Sequence, residues 1–278
     1  MARNCLLVSA GWLLTATEDR ACYEDWAFLI EDGIVSDMGP QKDLSAKYST
    51  THKLALNEHI VCPGLINCHN HAAMKLMRGL GQGLNLDDWL HQAIWPFEKE
   101  HLDAPTVGLG AELAMVEMLM SGITTFSDMY FFPETVASVA ERLGLNIQLA
   151  VPIISLDTRW ARGSEECIHQ ALALHDLYRD HQHVSVSFGP HSVEALDLET
   201  LEKIGMYADE LDLGIQIHLQ ETSGELDRAL KKHGHSFVVL LKKIGLMNER
   251  LQVVHAVHLT SEDKAILAET NANVIHCP

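Results

Sequence analysis

Ile60-Val61-Cys62-Pro63-Gly64-Leu65-Ile66-Asn67-Cys68-His69-Asn70-His71 is the stretch on which the reading of the fold turns. An apolar run of strand length ends on two histidines spaced by two, and in a β-strand that spacing puts both imidazoles on one face. N-terminal to this run the chain reads as short strands and turns: Cys5–Val8, Trp26–Ile30, the Glu31-Asp32-Gly33 turn, Ile34–Met38 and Lys53–Leu56. C-terminal to it, apolar runs alternate with long amphipathic segments, the pattern of repeated βα units around a parallel sheet.

The strands expected after the boundary are Ile60–Cys68, Thr124–Tyr130, Asn146–Ile153, Val184–Pro190, Gly214–Leu219, Leu251–Val257 and Asn273–Cys277. Helices lie between them. Ala111–Met120 repeats apolar residues at helical spacing before Gly122, and Glu134–Leu143 starts after Pro133 and stops at Gly144. Glu165 and Glu166 open another helix at its positive end, and Thr260 with Asp263 is spaced as a capping box for a helix near Ser261. Without a low-complexity linker or short repeat, the alternation is one architecture. The expectation is an α/β fold: residues 60–278 form a (β/α)8 TIM barrel lacking its last strand, and residues 1–59 form part of a small β-sandwich.

Composition narrows the function. The 278 residues are 47% hydrophobic and 21% charged, which excludes a disordered chain, and no apolar run is long enough to span a bilayer. A net charge of −18 repels phosphate backbones, so a small molecule rather than nucleic acid or a membrane is the expected partner. The six cysteines include no C-x-x-C pair, which argues against a disulfide framework and fits a reducing cytoplasm. The apolar segment after Arg3 is interrupted by Ser9, Gly11 and Trp12 and is a poor signal peptide.

Of the seventeen histidines, those at strand ends carry the chemistry. His69 and His71 end the first barrel strand; Ile217-His218-Leu219-Gln220-Glu221-Thr222 ends the fifth with a histidine and a carboxylate three residues on; His255 ends the sixth. Barrel active sites sit at that carboxyl end. Three neutral imidazoles bind Zn²⁺ and leave a position where water ionises near neutral pH, and Glu221 is then spaced to shuttle a proton. His258 falls beyond its strand and is expected to serve local structure.

On these residues the chain resembles the methylthioadenosine/S-adenosylhomocysteine deaminases, a triazine-hydrolase-like branch of the amidohydrolase superfamily. The resemblance is carried by Pro63–Arg78 (PGLINCHNHAAMKLMR), Asp128–Glu134 (DMYFFPE), Phe188–His191 (FGPH), His218–Thr222 (HLQET) and His255–Leu259 (HAVHL), in the family's order. It implies a metal-dependent hydrolase barrel with one Zn²⁺ per subunit, Fe²⁺ being the alternative, ligated by His69, His71 and His218. It also implies that Glu221 protonates the purine ring nitrogen while water activated at the metal attacks the amino-bearing carbon, with His255 orienting that water. Glu98 is implied to hold ribose hydroxyls, His191 to contact substrate, and Arg162, with Arg159 beside it, to be a looser candidate for a substrate carboxylate. The fourth strand has no lysine to bridge a second metal, and the H-x-E with P-C-x-x-C pattern of cytidine-deaminase-type sites is absent.

The resemblance also implies an eighth strand with an aspartate ligand following the Val274–Pro278 segment. The 278-residue chain alone is therefore expected to be poorly active, with two unpaired sheet edges. Three readings stay open: deamination of a nucleoside of the methylthioadenosine or S-adenosylhomocysteine type, hydrolysis of another heterocycle such as a chlorotriazine, guanine or oxopurine, and an inactive metal-binding remnant. Association into a homo-oligomer stays open too.

Overall fold

The structure, a computed structural model, describes residues 5–17, 21–49 and 52–277; Arg3 and Pro278, used in the sequence reading, lie outside them. The chain divides into two compact units, Met1–Gly64 and Leu65–Pro278.

In the first unit β1 (Cys5–Leu14), β2 (Cys22–Glu31), β3 (Ile34–Pro40), α1 (Gln41–Lys47) and β4 (His52–Val61) form one four-stranded sheet, in the order β3-β2-β1-β4, and a short helix. The Asp32-Gly33 turn joins β2 to β3 with both residues at positive φ, a geometry that suits Asp and Gly. Leu44 of α1 packs on Leu7, Ala27 and Leu29 to make a small core, so the second layer among the described residues is a helix. The expected strand Ile60–Cys68 is two strands in two sheets. β4 pairs with β1 as far as Val61, and Pro63, which lacks an N–H, ends the ladder.

The second unit begins with β5 (Leu65–Asn67) and a 3₁₀ turn over Ala72–Met77. It continues through α2 (Leu86–Trp89), a π turn at Leu90–Ile94, α3 (Trp95–His101) and α4 (Ala104–Met120). The alternation then runs β6 (Ile123–Asp128), α5 (Pro133–Leu143), β7 (Asn146–Ile153), α6 (Gly163–Tyr178), β8 (Val184–Pro190), α7 (Leu198–Leu211) and β9 (Ile215–Leu219). It closes with α8 (Ser223–His233), α9 (Phe237–Lys243), β10 (Leu251–His255), α10 (Ser261–Thr270) and β11 (Asn273–Ile275). Every ladder in this sheet is parallel and the strand order β11-β10-β9-β8-β7-β6-β5 is the chain order reversed, so the seven strands have the barrel's winding, with β5 and β11 at the edges.

Parallel strands covered on both faces read as continuous apolar runs, and all five residues of β9 are buried. Leu149, Val151, Phe188, Ile217 and Val253 from the strands pack with Ala137, Ile168, Leu201 and Leu241 from the helices. Each large apolar side chain so buried contributes about 1.5–3 kcal/mol. Local signals set the helix limits. Gly144 in the left-handed conformation ends α5, and Thr260 and Asp263 make the reciprocal capping box at the start of α10. Gly110 brings α4 so close to Ala73 that a Cβ there would overlap the Ala73 carbonyl, which seats the turn following His71. The sixth barrel strand stops at His255 rather than Val257, because His255 and Ala256 take positive φ (73° and 50°) and the chain leaves the ladder after His255.

Candidate metal centre

Four histidines converge at the carboxyl ends of β5, β9 and β10. His69 packs edge-on to His71 and His218, with ring centroids 4.7 and 4.8 Å away, and His218 stacks on His255 at 5.5 Å. His71 lies 5.3 Å from His218. The ring nitrogens of His69, His218 and His255 all fall within 4.8 Å of one another, a grouping that could hold a metal ion. Of the four residues expected around a metal, the tightest grouping thus takes in His255, while His71 abuts two of its members.

Each ring but that of His255 is anchored through Nδ1. His71 Nδ1 donates to the Met129 carbonyl (2.6 Å) and His218 Nδ1 to the His191 carbonyl (2.7 Å); a carbonyl only accepts, so both rings carry their proton on Nδ1. His69 Nδ1 stands 2.8 Å from Gln216 Oε1 in the same sense. The Nε2 of all three is therefore left unprotonated, and His69 Nε2 and His218 Nε2 face each other at 3.1 Å. Burial holds His69 and His71 down to about 4 and His218 well below the usual histidine range, so no proton is available to sit between them near neutral pH. Two lone pairs at hydrogen-bond distance repel, and a divalent cation between them would turn that repulsion into ligation. The donor set thus fits a metal.

The backbone around β5 is locked to β6. Met129 N donates to the Asn70 carbonyl (2.9 Å), and Ala72 N donates to Asp128 Oδ1 (2.6 Å). Asp128 is buried, and desolvation pushes its carboxyl up to about 7.

Glu221 follows β9 on a turn whose first residue, Gln220, has φ 51°. Its carboxylate lies 3.6 Å from His255 Nε2, and burial raises its pKa above the ordinary glutamate value. The turn is held from beneath by Glu225, which accepts from Gln220 N and Glu221 N, both at 2.9 Å. The fully buried Gln220 side chain donates to His258 O (2.6 Å) and Asp263 Oδ2 (3.1 Å) and accepts from Val238 N (3.2 Å). His258 meets this turn through its backbone, its N–H donating to the Gln220 carbonyl at 3.0 Å.

Glu98 on α3 accepts from the Tyr130 hydroxyl at 2.6 Å, and burial raises its carboxyl. His191, just past β8, packs against His218 at 4.8 Å and is pushed down to about 4 by burial. Arg162 is exposed at the N-cap of α6, where its backbone N–H donates to Glu166. Arg159 is spent elsewhere, its guanidinium donating to the Glu100 carbonyl (3.0 Å) at the end of the helix that carries Glu98. Gln216, Asp128, Tyr130 and Glu225 were not singled out from the sequence. For Gln216 a signal existed: a lone amide two residues before His218 shares its strand face.

Residues 60–278 match the amidohydrolase family. The chain is 39% identical over 271 residues to a 5-methylthioadenosine/S-adenosylhomocysteine deaminase of Teredinibacter turnerae, and 39% identical over 273 residues to one of Saccharophagus degradans. The alignments cover 98% of this chain and 61% of each relative, so the chain spans about three fifths of their length. Among solved structures, an adenosine deaminase from Xanthomonas campestris with bound zinc superposes with a TM-score of 0.94 at 32% identity, covering 98% of this chain and 62% of that one. No helix among the described residues is long and apolar enough to cross a membrane.

Proposed function

Because this chain belongs to the amidohydrolase family, we propose that its histidine centre holds one Zn²⁺ and that the protein deaminates an adenosine-type nucleoside of the methylthioadenosine or S-adenosylhomocysteine class. The observation that carries this reading is the opposed, Nδ1-anchored pair His69 and His218 beside a half-buried glutamate. His69, His71 and His218 would hold the metal, which when bound supplies a Lewis acid that lowers the pKa of water toward neutrality. Glu221, whose pKa burial raises above the ordinary glutamate value, delivers a proton to the purine ring nitrogen. His255, 3.6 Å from Glu221, orients the attacking water. The oxygen of water bonds to the ring carbon and the carbon–nitrogen bond breaks; of the two protons of water, one restores the proton that Glu221 gave to the ring nitrogen and the other converts the leaving amino group to ammonia. Glu98, held by Tyr130, accepts from the vicinal ribose hydroxyls, and His191, packed against His218, contacts the substrate.

The reading is supported by the names of the relatives and by the zinc in the adenosine deaminase structure. Metal analysis of the protein as its gene encodes it, paired with ammonia release from methylthioadenosine, S-adenosylhomocysteine, guanine and a chlorotriazine, tests it. The expected result is about one zinc per chain and release from the two thioether nucleosides. Release from guanine or the triazine alone would reassign the substrate, and bound zinc without any release would leave a metal-binding protein in place of an enzyme.

A further inference from the structure

Gln216 is a fully buried amide on β9, two residues before His218 and on its face of the strand. An amide taken out of water is costly unless every polar atom finds a partner, and this one is saturated. Its Nε2 lies 3.1 Å from the Cys68 carbonyl, 3.1 Å from Ser127 Oγ and 2.8 Å from Gln252 Oε1, three acceptors for two hydrogens. The amino end is thus fixed among three strands, and the only atom left to face His69 Nδ1 is the acceptor Oε1, at 2.8 Å. A ring nitrogen facing an acceptor keeps its proton, and the other nitrogen of the same ring is left as a lone pair.

We propose that Gln216 is a positioning residue for the metal centre: by accepting from His69 Nδ1 it fixes that ring's tautomer and orientation, so that Nε2 points as a ligand toward His218. This rests on the reading of the histidine centre as a metal site. It assigns to a side chain from β9 the control of a ligand two residues past β5, 147 positions away in sequence. His71 and His218 are oriented by backbone carbonyls, which no substitution removes, whereas His69 depends on one replaceable side chain.

The test compares the wild-type chain with Gln216→Met, which keeps the volume and loses the acceptor, and with Gln252→Leu, which removes a partner of Gln216 but leaves Oε1 facing His69. Histidine ¹⁵N spectra of the metal-free proteins report the tautomer, and chelator competition reports the affinity for Zn²⁺ alone. The wild type and Gln252→Leu should show His69 protonated on Nδ1 and bind Zn²⁺ equally. Gln216→Met should lose the tautomer preference and bind Zn²⁺ about 10–100-fold more weakly, the cost known for removing partners of metal-bound histidines. Equal loss in both variants would show that packing alone is at work and overturn the proposal, as would an unchanged tautomer and affinity in Gln216→Met. If that variant fails to fold, the wild-type spectrum still decides, because an Nε2–H tautomer of His69 refutes the assignment. A wild-type chain that takes up no Zn²⁺ fails the metal reading instead, and the His69 tautomer then judges Gln216 separately.

Discussion

The floor and the rim of the histidine centre are both polar, the rim half-buried, and they are built by different means. The floor is set by β9 and the end of β5. Gln216 and His218 lie in the parallel register of β9 and His69 lies two residues past β5, and their hydrogen bonds join residues 147 to 149 positions apart. The rim depends on left-handed residues. Glu221 follows left-handed Gln220 on a turn held by Glu225, Ser236 and Asp263 over shorter spans, and His255 is the left-handed last residue of β10. Register is fixed by a core of many apolar contacts, whereas a left-handed turn persists only where specific hydrogen bonds compensate its strain. The floor should therefore fail by losing its ligand, and the rim by losing its geometry.

The largest effect is expected from breaking the floor. His218→Asn should abolish zinc retention, with a loss greater than the roughly 10–100-fold that follows from removing a ligand's supporting partner; chelator competition measures it. Retained zinc in this variant would move the site away from β9.

Next, Glu221→Gln should leave zinc binding intact and lower kcat by about 10²–10⁴, the contribution of a positioned acid or base. Parallel loss of metal would make Glu221 part of the floor instead.

A pH series on the metal-free protein separates the regions further. His69 and His71 are held near 4 by burial, against about 6.5 in the unfolded chain. Below pH 6.5 the unfolded chain takes up protons that the folded one refuses, so stability should fall as the pH drops from 6.5 toward 4, by on the order of 3 kcal/mol for one such group, and be insensitive to these groups above that range. Urea midpoints from pH 7.5 to 4 test the sign, and His71→Gln should flatten the curve.

Glu225→Ala leaves one buried and one half-buried N–H group without their carboxylate and should cost about 1–3 kcal/mol, with kcat falling while zinc affinity holds. The smallest effect is expected at the edge of the rim. Thr260→Ala removes the α10 cap and should cost about 1 kcal/mol in denaturant unfolding, with the floor untouched.

Part of this centre was legible in the chain. His69, His71 and His218 stand out because each falls at or just past the carboxyl end of an apolar run, and the resemblance groups them, while Thr260 with Asp263 announces its helix start by local spacing. The contacts of Gln216 with His69 and of Tyr130 with Glu98 were not legible, since they exist only once the strand order brings β5 beside β6 and across from β9. The limits of two strands were also misread. Pro63 divides Ile60–Cys68 between two sheets, and β10 stops early because Ala256 N turns to Leu219 O while Val257 N and His258 N turn to Gln220 O.

Sequence by itself determined the alternating βα architecture, the identity of the histidines and the carboxylate after His218, because periodicity and capping are properties of neighbours along the chain. The tertiary structure decided which nitrogen of each ring faces inward, which histidines draw closest and how Glu221 is aimed. A tautomer and a turn conformation are set by hydrogen-bond partners that the fold supplies from distant strands.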